Sequence, residues 1–138
     1  MSDAIDKAKK EKILLIEDNE QNRYLATFLL GQAGCEVVHA ATGTLGIELA
    51  RTGVFDRVLL DIQLPYMNGY DVARTLRALP HLAHVPIVAV TSYAMPGDRE
   101  KALAAGCDGY LEKPINPETF VADARSFSVR PADEDRHP

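Results

Sequence analysis

The sequence predicts an α/β fold in which helices cover both faces of a parallel sheet. Five short apolar runs alternate with five stretches of helical periodicity, the pattern of strand–helix units. The first, third and fourth runs are nearly continuous in Leu, Ile and Val, as in strands buried on both faces. Acids, a hydroxyl and a lysine gather at the carboxyl ends of the runs, where open parallel sheets bind ligands.

Lys12 to Glu17 reads as the first strand. A helix follows over Glu20 to Ala33, with Tyr24, Leu25, Phe28 and Leu29 as its apolar stripe and Gly34 as a left-handed stop. Glu36 to Ala40 is the second strand, and Thr44 to Thr52 the second helix, with Leu45 and Leu49 facing inward and Gly53 behind it. Asp56 opens the third strand, Arg57 to Asp61, and a third helix after Asn68 carries Val72, Leu76 and Leu79 on one face. Pro86 to Ser92 is the fourth strand, and the helix from Asp98 to Ala105 stops at Gly106. Gly109 to Lys113 is the fifth strand; the last helix takes Asn116 as N-cap and Pro117 as its first residue and buries Phe120, Ala124 and Phe127. The expected domain spans residues 12–127, flanked by polar, solvated segments at 1–11 and 128–138.

A chain of 138 residues suits one domain with one sizeable core. At 46% hydrophobic and 25% charged, with a net charge of −5, its composition gives no basis for binding nucleic acid or an anionic membrane. No run approaches the roughly 18 apolar residues of a membrane span, and Met1 to Lys12 lacks a signal-peptide core, so the expected compartment is the cytoplasm. Cys35 and Cys107 have no metal-ligand spacing and read as reduced packing residues. The four histidines likewise have no metal-site spacing.

The chemistry lies at the strand ends. Glu17 and Asp18 close the first strand, Asp61 the third, Thr91 the fourth and Lys113 the fifth. Three carboxylates brought together repel and raise one another's pKa, and a hard divalent cation relieves that repulsion. Mg²⁺ suits an open cleft of one or two carboxylates plus phosphate oxygens. Lys113 adds a point charge and Thr91 a hydroxyl donor, completing a set for phosphoryl transfer with Asp61 as nucleophile.

Glu17-Asp18, Asp61 within LLDIQLPYMNG, Thr91-Ser92 within VAVTSYAM, Tyr110 and Lys113-Pro114 together resemble the signature of response-regulator receiver domains, over roughly residues 12–127. The resemblance implies a flavodoxin-like doubly wound sheet of five parallel strands in the order 2-1-3-4-5 with five helices. It implies that Asp61 takes a phosphoryl group from a histidine kinase or histidine phosphotransferase. It further implies that Asp18, Asp61 and the Gln63 carbonyl bind Mg²⁺, with Glu17 acting through water. Lys113 would pair with the phosphoryl group, Thr91 would move to hydrogen-bond it, and Tyr110 would turn inward to signal the change. The Lys113–Pro114 bond would be cis. The face formed by the fourth helix, fifth strand and fifth helix would meet a downstream protein.

HLAHVPIVAVT and AMPGD lean towards single-domain regulators of the cell-division type, monomeric or weakly dimeric and with no catalysis beyond their own phosphorylation and dephosphorylation. Gln63 and Tyr93 stand where relatives tune phosphoryl lifetime, and Pro96-Gly97 stiffens the loop before the fourth helix. Tyr70 and Tyr93 read as surface or partner contacts, and Met67 and Met95 as gap fillers. The alternatives are a phosphorylation-independent adaptor on this fold and a receiver cut from a hybrid kinase. An aspartyl phosphatase would want a second acid where Gln63 stands, and a flavin module would want a phosphate loop where Glu17 to Glu20 stand. The inherited order puts Cys35 and Cys107 by opposite sheet edges, about 19 Å apart, too far for a disulfide.

Overall fold

A computed structural model describes residues 10–92 and 95–129. The expectations for residues 1–9 and 130–138, and those for Tyr93, lie outside the described residues. Five strands, β1 (Lys12–Ile16), β2 (Glu36–Ala40), β3 (Arg57–Asp61), β4 (Ile87–Thr91) and β5 (Gly109–Glu112), form one parallel sheet in the order β2-β1-β3-β4-β5. The helices are α1 (Glu20–Gln32), α2 (Gly43–Thr52), α3 (Gly69–Ala78), α4 (Asp98–Ala104) and α5 (Phe120–Arg125), with a 3₁₀ turn at Pro80–Leu82.

The side-chain alternation of the strands sorts the core into two layers. Leu14, Ile16, Val58, Leu60, Ile87 and Ala89 face α2, α3 and α4. Ile13, Leu15, Leu59 and Val88 face α1 and α5 through Ala26, Leu30, Phe120 and Ala124. Central strands covered on both faces need apolar residues at every position, hence the unbroken Leu/Ile/Val runs.

Two expected helix faces are corrected. Tyr24 and Phe28 are 74% and 49% exposed and stack on each other, with ring centroids 6.5 Å apart, while Ala26 and Leu30 make the buried face of α1. Leu45 is 45% exposed, and α2 buries Gly43, Gly46, Ile47 and Ala50 instead. The helix lies so close to β1 that a Cβ on Gly46 would stand 2.4 Å from the Ile16 side chain. Close packing thus selected small residues where hydrophobicity alone would choose leucine.

The last helix also begins later than expected. Asn116 caps a preceding turn, its side chain accepting from Glu118 N at 3.0 Å and its carbonyl from Phe120 N at 2.8 Å, and α5 starts at Phe120 with Thr119 as N-cap. Phe127 follows the helix and packs its ring over Gly109. Glu11, counted above with the polar leader, pairs with Arg57 at 2.9 Å and Arg125 at 3.2 Å. Met95, read as a gap filler, is 63% exposed, whereas Met67 packs on the core. Asp56 accepts from Lys12 N at 2.7 Å and so ties the start of β1 to β3. Cys35 and Cys107 are both buried, and neither is joined in a disulfide.

Gly69 fixes the chain just beyond Asp61. A Cβ there would lie 2.5 Å from both the Cα and the carbonyl oxygen of Ile62, backbone atoms that cannot swing aside. Gly69→Ala is expected to lower stability by roughly 1–3 kcal/mol, the cost of overpacking a tight site, measured by urea unfolding.

Candidate functional site

The parallel sheet delivers its functional side chains to one end. β1 stops at Ile16, so Glu17 and Asp18 begin the loop into α1, and Glu17 N still donates to Ala40 O at 3.0 Å, which holds the turn to β2. Asn19 caps α1 by accepting from Asn22 N at 2.9 Å, and Asn19 N donates to Glu17 Oε2 at 3.1 Å. Arg23, one turn into α1, donates to the carbonyl of Glu17 at 2.9 Å and of Asp18 at 3.3 Å. Asp61 is the last residue of β3 and is buried, with one carboxylate oxygen accepting from Gln63 N at 3.0 Å.

Glu17, Asp18 and Asp61 each present a carboxylate oxygen, and the three oxygens lie within 4.8 Å of one another. Glu17 and Asp61 are buried and Asp18 is exposed, so the cluster is a pit open on one side. Burial and the charge of Glu17 push the Asp61 carboxyl up to about 7, with a hydrogen bond to Asp18 adding to the rise, against the pull of Lys113 and of Gln63 N. Lys113 follows β5, held by its backbone N donating to Thr91 O at 2.7 Å. Its Nζ pairs with Glu17 at 2.9 Å and lies 3.4 Å from Asp61. The Lys113–Pro114 peptide is cis.

Thr91 ends β4, buried at 1% exposure, and its Oγ1 accepts a hydrogen bond from Gln63 Nε2. Gln63 Oε1 accepts from Ser92 N at 2.8 Å. Tyr110 already has its hydroxyl buried, close to Thr91 but without a hydrogen bond of regular geometry. Burial raises its phenol above the ordinary value, and the charges of Asp98 and Glu112 add to the rise. Tyr70, expected at the surface, instead packs on the core; burial first, and then the charge of Asp98, push its phenol up to about 12.

Glu17, Asp18, Asp61 and Lys113 therefore meet directly, Gln63 links Asp61 to Thr91, and Tyr110 stands beside Thr91. Arg23 takes a position beside this site that the sequence did not assign, and the Gln63 side chain, expected only at a position that tunes phosphoryl lifetime, makes contacts that the sequence did not assign. Arg23 had a signal, its place one turn after the acid pair; the reach of Gln63 across to β4 had none.

The acid-rich pit fits a hard cation: three carboxylates converge, and among the described residues the Lys113 ammonium alone pairs with them. The family model for the response regulator receiver domain matches residues 13–125. The chain belongs to this family. Receiver domains are phosphoryl-accepting switches of two-component signalling that interact with histidine kinases and downstream effectors and bind Mg²⁺ at an acidic pocket. The chain is 36% identical to the polar-differentiation response regulator DivK of Brucella ovis over 85% of this chain and 95% of that protein. Its receiver fold matches the chemotaxis response regulator CheY4 of Vibrio cholerae with a TM-score of 0.81 at 29% identity, covering 86% and 98% of the two chains. The receiver domain of a Pseudomonas aeruginosa sensor histidine kinase, with a magnesium ion coordinated in its active site cleft, matches at a TM-score of 0.78 and 34% identity, covering 86% of this chain and 98% of that one. Among the described residues of this receiver, no helix is long and apolar enough to cross a membrane.

Proposed function

We propose that Asp61 is the phosphoacceptor of this receiver. The supporting observation is that Asp61, the buried acid that ends a central strand, lies within reach of both other carboxylates of the pit and of Lys113. A carboxylate oxygen of Asp61 attacks the phosphorus of a phosphohistidine, the P–N bond breaks, and the departing imidazole nitrogen keeps the electron pair and takes a proton from water. Asp18, Asp61 and the Gln63 carbonyl would hold Mg²⁺, with Glu17 acting through water, and the ion would supply positive charge against the phosphoryl oxygens. Lys113 moves its Nζ from Glu17 towards the new charge, a short swing because it already lies between the two acids. Thr91 turns its hydroxyl to a phosphoryl oxygen. Tyr110, beside it, carries the change to the α4-β5-α5 face, where a downstream protein binds.

The donor is a histidine kinase or histidine phosphotransferase, in a cytoplasmic setting. The receiver unit runs over residues 12–127 and acts as a monomer or weak dimer. It catalyses only its own phosphorylation and dephosphorylation. Acetyl phosphate is expected to label the protein only with Mg²⁺ present, as an acyl phosphate cleaved by hydroxylamine. Labelling that persists in excess chelator, or that survives hydroxylamine, would rule out this chemistry.

A further inference from the structure

Gln63 is exposed, yet both ends of its carboxamide are engaged on the neighbouring strand end. The chemistry fixes which end is which. Ser92 N can only donate, so the carboxamide oxygen must face it and the NH₂ must face Thr91 Oγ1. The side chain therefore crosses from the β3–α3 loop to the β4 terminus and closes two hydrogen bonds there.

We propose that the Gln63 side chain is a resting-state clamp that competes with the phosphoryl group for the end of β4. The proposal rests on Asp61 as phosphoacceptor. Ser92 N–H is the first backbone donor beyond β4, and the Gln63 oxygen occupies its acceptor position at 2.8 Å, as an oxygen of a bound anion would. Thr91 is held from the same carboxamide, so its hydroxyl oxygen is drawn towards the β3–α3 loop. An incoming phosphoryl group that recruits Thr91 must displace Gln63 from both partners together, because one planar group holds them. The clamp is a positioning device: Gln63 acts through Thr91 and Ser92. Loss of the carboxamide leaves the resting arrangement weaker and the phosphoryl-bound arrangement untouched at these two contacts.

Beryllofluoride at saturating Mg²⁺ stands in for the phosphoryl group, and Gln63→Met and Gln63→Ala remove the carboxamide with and without its bulk. Gln63 is exposed, so neither change opens the core. Both variants are expected to bind beryllofluoride roughly five- to 150-fold more tightly than the unsubstituted protein, the range set by two hydrogen bonds of ordinary net strength. In the metal-free proteins the Ser92 amide is expected to exchange with solvent faster in both variants, followed by ¹⁵N NMR. Equal or weaker beryllofluoride affinity in the variants, with the unsubstituted protein binding normally, would overturn the clamp alone. An unchanged Ser92 amide would overturn it too. Failure of the unsubstituted protein to bind beryllofluoride at all would overturn the phosphoacceptor reading, and the clamp's competition with it.

Discussion

Asp61→Asn is expected to abolish phosphoryl labelling, by at least about a thousandfold, while making the metal-free protein more stable at neutral and alkaline pH. The first effect follows because an amide has no anionic oxygen to attack phosphorus. The second follows from the surroundings of Asp61, which is buried beside Glu17 and pushed up to about 7. A carboxyl with a raised folded-state pKa favours the fold fully below its unfolded value near 4, and that contribution is lost as pH rises through about 7. Asparagine keeps the shape without the charge. Thermal unfolding is therefore expected to show no gain from the substitution at pH 4 and a gain on the order of 4 kcal/mol at pH 8. A gain at pH 4 as large as at pH 8 would mean that charge crowding is not what strains this pit. The acids of the site thus oppose folding in order to stand ready for a cation and a phosphoryl group.

The largest loss of stability is expected away from the cleft, at Arg77 and Asp108. Arg77 donates to the carbonyls of Leu82, Val85 and Gly106 at 2.8, 2.9 and 2.9 Å and pairs with Asp108 at 2.6 Å. Asp108, whose side chain is fully buried, also accepts from Ile87 N at 3.0 Å. The pair joins the end of α3, the turn before β4 and the turn before β5, which keeps β4 and β5 in register under the cleft. Arg77→Ala leaves the Asp108 carboxylate buried without its cation, at a cost of roughly 3–5 kcal/mol. Asp108→Ala is expected to cost a similar amount and to orphan Ile87 N–H as well, whereas Asp108→Asn keeps an acceptor for Ile87 and should cost less. Urea unfolding of the three variants checks the order; a loss under about 1 kcal/mol for Arg77→Ala would show that the network is dispensable.

The strands and the acid cluster were legible because one rule governs each. A sheet buried on both faces needs unbroken apolar runs, and a site at the carboxyl ends of strands collects polar residues at their last positions. Glu17, Asp18, Asp61, Thr91 and Lys113 could therefore be placed together before any coordinates. Helix orientation was less legible. Tyr24, Phe28 and Leu45 lie outward because close packing selects Ala26 on α1, Gly46 against Ile16 of β1 and Gly43 against Met67 and Val72, and hydrophobicity cannot rank a glycine above a leucine. Arg77 and Asp108 were invisible because their partners are backbone carbonyls and each other across 31 positions. The Gln63 clamp was hidden for the same reason: nothing local to residue 63 announces a contact with residues 91 and 92.

The central claim, that Asp61 carries the phosphoryl group, is tested most directly by trapping the product. Protein phosphorylated with acetyl phosphate and Mg²⁺ is reduced with borohydride, which converts an aspartyl phosphate to homoserine, and is then mapped by peptide mass spectrometry. Homoserine at position 61, and at no other acid of the cleft, is the result predicted; homoserine at position 18, or 2-amino-5-hydroxypentanoic acid at position 17, with Asp61 intact would contradict the account.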